Sequence, residues 1–66
     1  LDDELRTSYL GQSRQAFQQV STAQGAADVL KVRAFMGLAA VAEAMGELDA
    51  ARTSYKRAAE IDRGAG

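Results

Sequence analysis

An all-α fold of three helices is predicted by composition, by hydrophobic periodicity and by the positions of two glycines. The 66-residue chain contains fourteen Ala and no Pro, and its aromatic residues are two Phe and two Tyr. Ala is the strongest helix former, whereas aromatic and β-branched residues favour strands. Gly25 and Gly46 each follow a helix-like stretch, where glycine can end a helix without steric cost. We predict helices at residues 3–22, 27–45 and 48–62, and a frayed tail at residues 63–66.

The first predicted helix is amphipathic. Asp2, Asp3 and Glu4 stand at its start, where carboxylates meet free N–H groups and the positive end of the helix dipole. At about 100° per residue, one arc collects Leu5, Tyr9, Leu10, Ser13, Ala16, Phe17 and Val20, opposite the Gln residues at 12, 15, 18 and 19. Gly11 lies inside this helix and costs about 1 kcal/mol against Ala.

The third predicted helix is also two-faced, with Glu47 and Asp49 near its N-terminus. Its apolar side carries Leu48, Ala51, Tyr55, Ala58 and Ala59. The opposite side carries Asp49, Arg52, Thr53, Lys56, Arg57 and Glu60.

The middle predicted helix is apolar nearly all round. It has no charge between Ala34 and Ala42, and a helix of this kind must be covered on every side. Two neighbouring helices do not suffice for that cover. We therefore expect a further protein surface to cover Met36, Ala40 and Ala44.

An internal repeat relates the first and third helices at a shift of 38 residues. The shift aligns Leu10, Ser13, Phe17 and Val20 with Leu48, Ala51, Tyr55 and Ala58. Both sets read large, small, aromatic, small at the same spacing. A repeat of this length indicates stacked helical hairpins, in which each unit buries its face against its neighbour.

Residues 32–63 resemble a tetratricopeptide repeat. The matching positions are Phe35, Leu38, Ala39, Gly46, Glu47, Leu48, Ala51, Tyr55, Ala58 and the ending Glu60-Ile61-Asp62. Ala42 stands where the family more often has Tyr, and Arg63 stands where the family has its final Pro. The resemblance covers about half of the chain as one full unit, preceded by one helix.

The resemblance implies a hairpin held together by packing and a concave face that binds protein. The expected hairpin residues are Phe35, Leu38, Ala39, Leu48, Ala51, Tyr55 and Ala58. The expected interaction face contains Arg33, Met36, Gly37, Ala40, Glu43 and Ala44. These residues lack the Lys and Asn clamp with which some members of the family hold a C-terminal carboxylate. An apolar helix or a second copy of the chain suits such a face better than an acidic peptide.

Two other binding functions remain open at this stage. Arg52, Lys56 and Arg57 form a small basic cluster, which would suit a DNA-binding helix-turn-helix, although net charge −1 offers no general attraction to nucleic acid. In such a motif Arg52 would be buried unpaired, so we expect no nucleic-acid partner. The Met36 face would alternatively suit an apolar ligand.

Catalysis, cofactors and metal ions are not expected. The chain has no Cys and no His, which removes thiolate chemistry and the usual zinc ligands. Ser8, Ser13, Ser21 and Ser54 therefore have no His to activate them.

The chain begins at Leu1 without a leader, so we expect a fragment of a longer protein. It lacks the roughly 20-residue apolar run of a membrane span, and we expect a soluble chain with a cytoplasmic location over other compartments.

Overall fold

A computed structural model describes residues 2–65 of the chain, and the side chains of residues 3–64. The elements are α1 (Asp2–Thr22), α2 (Asp28–Ala44) and α3 (Leu48–Ala65), with no strand among the residues described. The predicted all-α fold class with three helices is confirmed.

The turn between α2 and α3 is closed by backbone hydrogen bonds around Gly46. Gly46 has a φ of 76°, the left-handed conformation predicted for it. The Gly46 N–H donates to the carbonyl of Glu43 over 3.0 Å, and the Glu47 N–H donates to that of Ala42 over 2.8 Å. This is the Schellman arrangement, and it turns the chain back after three residues.

The turn between α1 and α2 is built differently from the prediction. Gly25 does not adopt a positive φ, because α1 has already ended at Thr22. The hydroxyls of Ser21 and Thr22 donate to the carbonyl of Gln18, and the Ala23 N–H donates to the carbonyl of Val20 over 3.2 Å. Side chains and the following backbone thus satisfy the carbonyls at the end of α1 without a left-handed glycine.

The end of the chain also differs from the prediction. We expected α3 to stop at Asp62 and the tail to fray, but the helix continues through Arg63 and Gly64 to Ala65. Arg63 lies in the last turn, where a cation is favoured by the negative end of the helix dipole. Gly66 lies outside the described residues.

The three helices form one antiparallel layer with α2 in the middle. Near the start of α1, Arg6 reaches the end of α2 at Ala44, whereas Phe17 lies against Gly37. The backbone of α2 lies close to those of both α1 and α3, which do not approach each other in this way. The molecule measures 45 × 23 × 12 Å, and its smallest dimension is about one helix diameter.

The buried centre of this layer is made almost entirely of alanine. Five of its six buried apolar residues are Ala, namely Ala34, Ala39, Ala42, Ala51 and Ala58, and the sixth is Val41. Small side chains let helix backbones approach closely, but each buries little apolar area. The chain consequently exposes 4843 Å², about 800 Å² more than the roughly 4,000 Å² of a compact 7.0 kDa protein.

Some of the residues predicted to hold the hairpin are buried and others are exposed. We call the buried set of Ala39, Ala51 and Ala58 the alanine seam. Ala39, Ala51 and Ala58 are buried, and Phe35 and Leu38 are half-buried. Leu48 and Tyr55 differ from the prediction, since 66% and 44% of their surfaces are exposed. The small alanine side chains let the two backbones approach closely, and Tyr55 lines a cleft beside them.

Two glycine substitutions test the packing of α1 on α2. A Cβ at Gly37 would lie 2.5–2.7 Å from the ring carbons of Phe17, so we expect Gly37→Ala to lower the free energy of unfolding by about 1–3 kcal/mol. A Cβ at Gly11 would meet no atom within 4 Å, and we expect Gly11→Ala to raise it by about 0.5–1 kcal/mol. Urea unfolding followed by circular dichroism measures both. A Gly37→Ala variant as stable as Gly11→Ala would contradict this packing.

Candidate interaction face

Eight large apolar side chains are exposed among the described residues. They are Leu5, Tyr9, Val20, Val29, Leu30, Met36, Leu48 and Tyr55. On α2, Val29, Met36 and Ala40 follow one another at spacings of seven and four residues, and all three are exposed. We call the side of the layer that carries this row the front face.

A cleft of about 390 Å³ lies on the front face between α2 and α3. Its lining residues are Val32, Met36, Tyr55, Ala58, Ala59 and Asp62. Leu48 stands seven residues before Tyr55 on α3 and so belongs to the same side of the helix. The cleft therefore continues the exposed apolar surface of α2 onto α3.

A second cleft, of about 250 Å³, lies between α1 and α2. Its lining residues are Tyr9, Leu10, Ser13, Phe17, Gly37, Ala40 and Val41. Phe17 also lines a neighbouring cleft of about 180 Å³ with Val20, Leu30, Arg33 and Ala34. The front face thus has apolar clefts on both sides of α2.

The opposite side of the layer, the back face, is more polar and more closed. Arg14 of α1 forms an ion pair with Glu47 over 2.7 Å, and its guanidinium also contacts the sulfur of Met45 at 3.3 Å. All three helices and Glu47 line one cleft there, of about 230 Å³. Leu38 of α2 and Met45, which directly follows α2, lie on this side and are half-buried, in contrast to the exposed Met36.

Two charged residues of α2 border the apolar row on the front face. Arg33 and Glu43 are both exposed, and among the described side chains Arg33 has no ion-pair partner. The hydroxyl of Tyr55 donates a hydrogen bond to Oε1 of Glu43. This bond raises the pKa of Tyr55, with smaller contributions in the same direction from desolvation and from the Glu43 charge.

The residues predicted for the interaction face do not all lie free on the surface. Arg33, Met36, Ala40 and Glu43 are exposed on the front face. Gly37 differs from the expectation because the ring of Phe17 lies over it. Ala44 is half-buried, and its carbonyl accepts a hydrogen bond from Arg6 over 2.6 Å, so α1 already uses this end of α2.

Several front-face residues lie outside the interaction face predicted from the sequence. Val29 was not assigned to the interaction face, although its spacing from Met36 was visible in the sequence. Tyr9 and Tyr55 were placed on inward-facing arcs, yet they border the clefts. A helical wheel cannot separate the side of a helix that packs on its neighbour from the adjoining side that stays open.

The basic residues Arg52, Lys56 and Arg57 of α3 do not form one continuous basic surface. The guanidinium carbon of Arg57 lies 5.7 Å from the centroid of the Phe35 ring, in a cation–π contact. Arg52 and Lys56 are exposed elsewhere on the helix. Within the described part of the chain, no three acidic residues form a group that could hold a metal ion, and no helix could cross a membrane.

Comparison of the chain with protein-family models, with curated proteins and with solved structures gives no match in any of the three.

The Tyr55–Glu43 hydrogen bond should make the folding stability of the chain depend on pH. Because the folded state raises the pKa of Tyr55, the contribution of this bond is present below the ordinary tyrosine pKa of about 10 and is lost as the pH rises through the folded value. We expect Glu43→Gln to lower the pKa of Tyr55. Ultraviolet titration of the phenol in a Tyr9→Phe background measures it, and an unchanged midpoint would contradict the contact.

Proposed function

We propose that this chain mediates protein–protein contact through its front face, as a non-catalytic module of tetratricopeptide type. The observation that carries the proposal is the exposed row of Val29, Met36 and Ala40, flanked by apolar clefts on both sides. Contiguous exposed apolar surface of this kind is typical of a binding site in proteins.

The architecture gives a physical reason for such a contact. Stable domains bury apolar surface between two packed layers, and this chain supplies one. The outer edges of the layer are polar and exposed: α1 carries Ser8, Gln12, Gln15 and Gln19 there, and α3 carries Asp49, Thr53, Lys56 and Glu60. Adding helices at these edges would bury little apolar surface. In the proposed contact, the partner protein therefore packs onto the front face and does not extend the layer at its edges.

The tetratricopeptide assignment is supported by the packing of the hairpin. Ala39, Ala51 and Ala58, which match the small positions of that repeat, are the residues that bring α2 and α3 together. Gly46 makes the tight turn that the repeat pattern requires. In this family the first helix of each hairpin lines the binding groove, which corresponds to α2.

The shape of the front face suits an apolar helix as its occupant. Helices pack by placing side-chain ridges into grooves, and each cleft runs beside α2. Met36 is unbranched and flexible, so it can adapt to different apolar surfaces.

A small apolar ligand is a second candidate occupant. The cleft between α2 and α3 has a volume of about 390 Å³, within the range of small-molecule sites. Titration with a short-chain fatty acid, followed by thermal unfolding, distinguishes the two, because only the ligand function predicts saturable stabilisation of a monomer.

A charge within the front face tests the proposed function. Light scattering after size exclusion, over a hundredfold concentration range, should give a mass above 7.0 kDa for the parent chain. We expect Ala40→Glu to abolish this association, because it places an unpaired charge in a desolvated contact. The matched control is Ala50→Glu, at an exposed helical alanine bordering the back-face cleft, which should associate as the parent does.

Binding to a different protein is tested with a thiol probe. The chain has no Cys, so Met36→Cys and Lys56→Cys each introduce a unique thiol, on the front face and on the outer edge of α3. An excess of a synthetic helix with one Leu-rich face should slow labelling at position 36 and not at position 56. A parent chain that is monomeric throughout, with equal labelling of both thiols in the presence of this peptide, would contradict the proposed function.

A further inference from the structure

We propose that the front face is covered by a second copy of this chain, in an antiparallel dimer whose α2 helices pack against each other. This inference rests on the proposed function, because it identifies the protein that the front face contacts. It is carried by the order of side chains along α2 and by the surface area that the single layer leaves exposed.

The exposed side chains of α2 form a symmetrical row. Arg33, Met36, Ala40 and Glu43 are all exposed and are separated by three, four and three residues. At these spacings they share one side of the helix. A point midway between Met36 and Ala40 divides the row into two halves. Along the chain, the first half has a basic residue followed by a large apolar one, Arg33 and Met36. The second half has a small apolar residue followed by an acidic one, Ala40 and Glu43.

When the same row of a second copy runs in the opposite direction, its side chains are complementary in charge and size to those of the first copy. A two-fold axis through the midpoint sets Arg33 opposite Glu43 of the second copy and Met36 opposite Ala40 of the second copy. Symmetry repeats each contact, so the dimer gains two oppositely charged pairs and two pairs of a large with a small side chain. A parallel arrangement would instead bring each charge close to its own counterpart and each Met36 close to the other.

The monomer already holds one of these charges in position. Tyr55 donates its hydroxyl to Oε1 of Glu43, which leaves the second carboxylate oxygen for a guanidinium. Arg33 has no ion-pair partner among the described side chains. The two charges lie at the ends of the row, about 15 Å apart along the helix, with the apolar residues between them. An apolar centre and a polar rim are characteristic of stable protein interfaces.

The single layer leaves enough surface exposed for such a dimer. The chain exposes about 800 Å² more than a compact protein of its mass. A stable interface of standard size buries about 800 Å² on each partner. A second copy supplies the missing layer, so that α2 of each copy is covered by helices on three sides.

Charge reversal across the axis tests the proposal. Arg33→Glu sets two carboxylates opposite each other at each end of the row, and Glu43→Arg sets two guanidinium groups there. We expect each single variant to raise the dimer dissociation constant about tenfold or more, and the double variant to return it to within about threefold of the parent. Sedimentation equilibrium measures the dissociation constants of the parent, the two single variants and the double variant. Lys56→Glu, at an exposed position on the outer edge of α3, makes the same change in net charge as Arg33→Glu away from the axis and should leave the constant unchanged.

Each alternative result is informative. Equal weakening by Arg33→Glu and Lys56→Glu would overturn the proposal, since it would reflect net charge alone. Failure of the double variant to recover, with circular dichroism showing intact helices, would overturn the antiparallel pairing. A parent chain that is monomeric up to about 1 mM would overturn the dimer. In that case, protection of the Met36→Cys thiol by the synthetic helix would still support the proposed function.

Discussion

The close approach of α2 and α3 through alanine is the constraint on which the rest of the structure depends. Ala39 is fully buried, and Ala51 and Ala58 are nearly so. Because these side chains are short, the helix backbones can approach closely. The seam is well packed but contributes little buried apolar area, and the larger side chains are left on the two faces of the layer.

The two faces of this layer have different physical characters as a result. On the back face, the Arg14–Glu47 ion pair joins α1 to the turn between α2 and α3, and all three helices meet around a polar cleft. On the front face, the apolar side chains have no such cover. Both the proposed protein contact and the proposed pairing of two copies follow from this asymmetry, because apolar surface removed from water is the main source of association free energy.

Local sequence signals predicted one of the two turns between the helices and did not predict the other. Gly46 ends α2 in the left-handed conformation because the turn needs a residue without a Cβ. Gly25 was assigned the same role and does not have it, because hydroxyl groups and the Ala23 backbone satisfy the end of α1 first. Arg63 and Gly64 were expected to fray, but they continue the helix.

The three helices and the apolar character of α2 were predictable from the order of residues alone, since they depend on helix propensity and on periodicity along one helix. Which apolar side chains remain exposed was decided by the packing of the helices against one another. Leu48 and Tyr55 lie on apolar arcs yet stay at the surface, and Gly37 on the expected face is covered by Phe17. These outcomes depend on the distances between helices, which the order of residues within one helix does not specify.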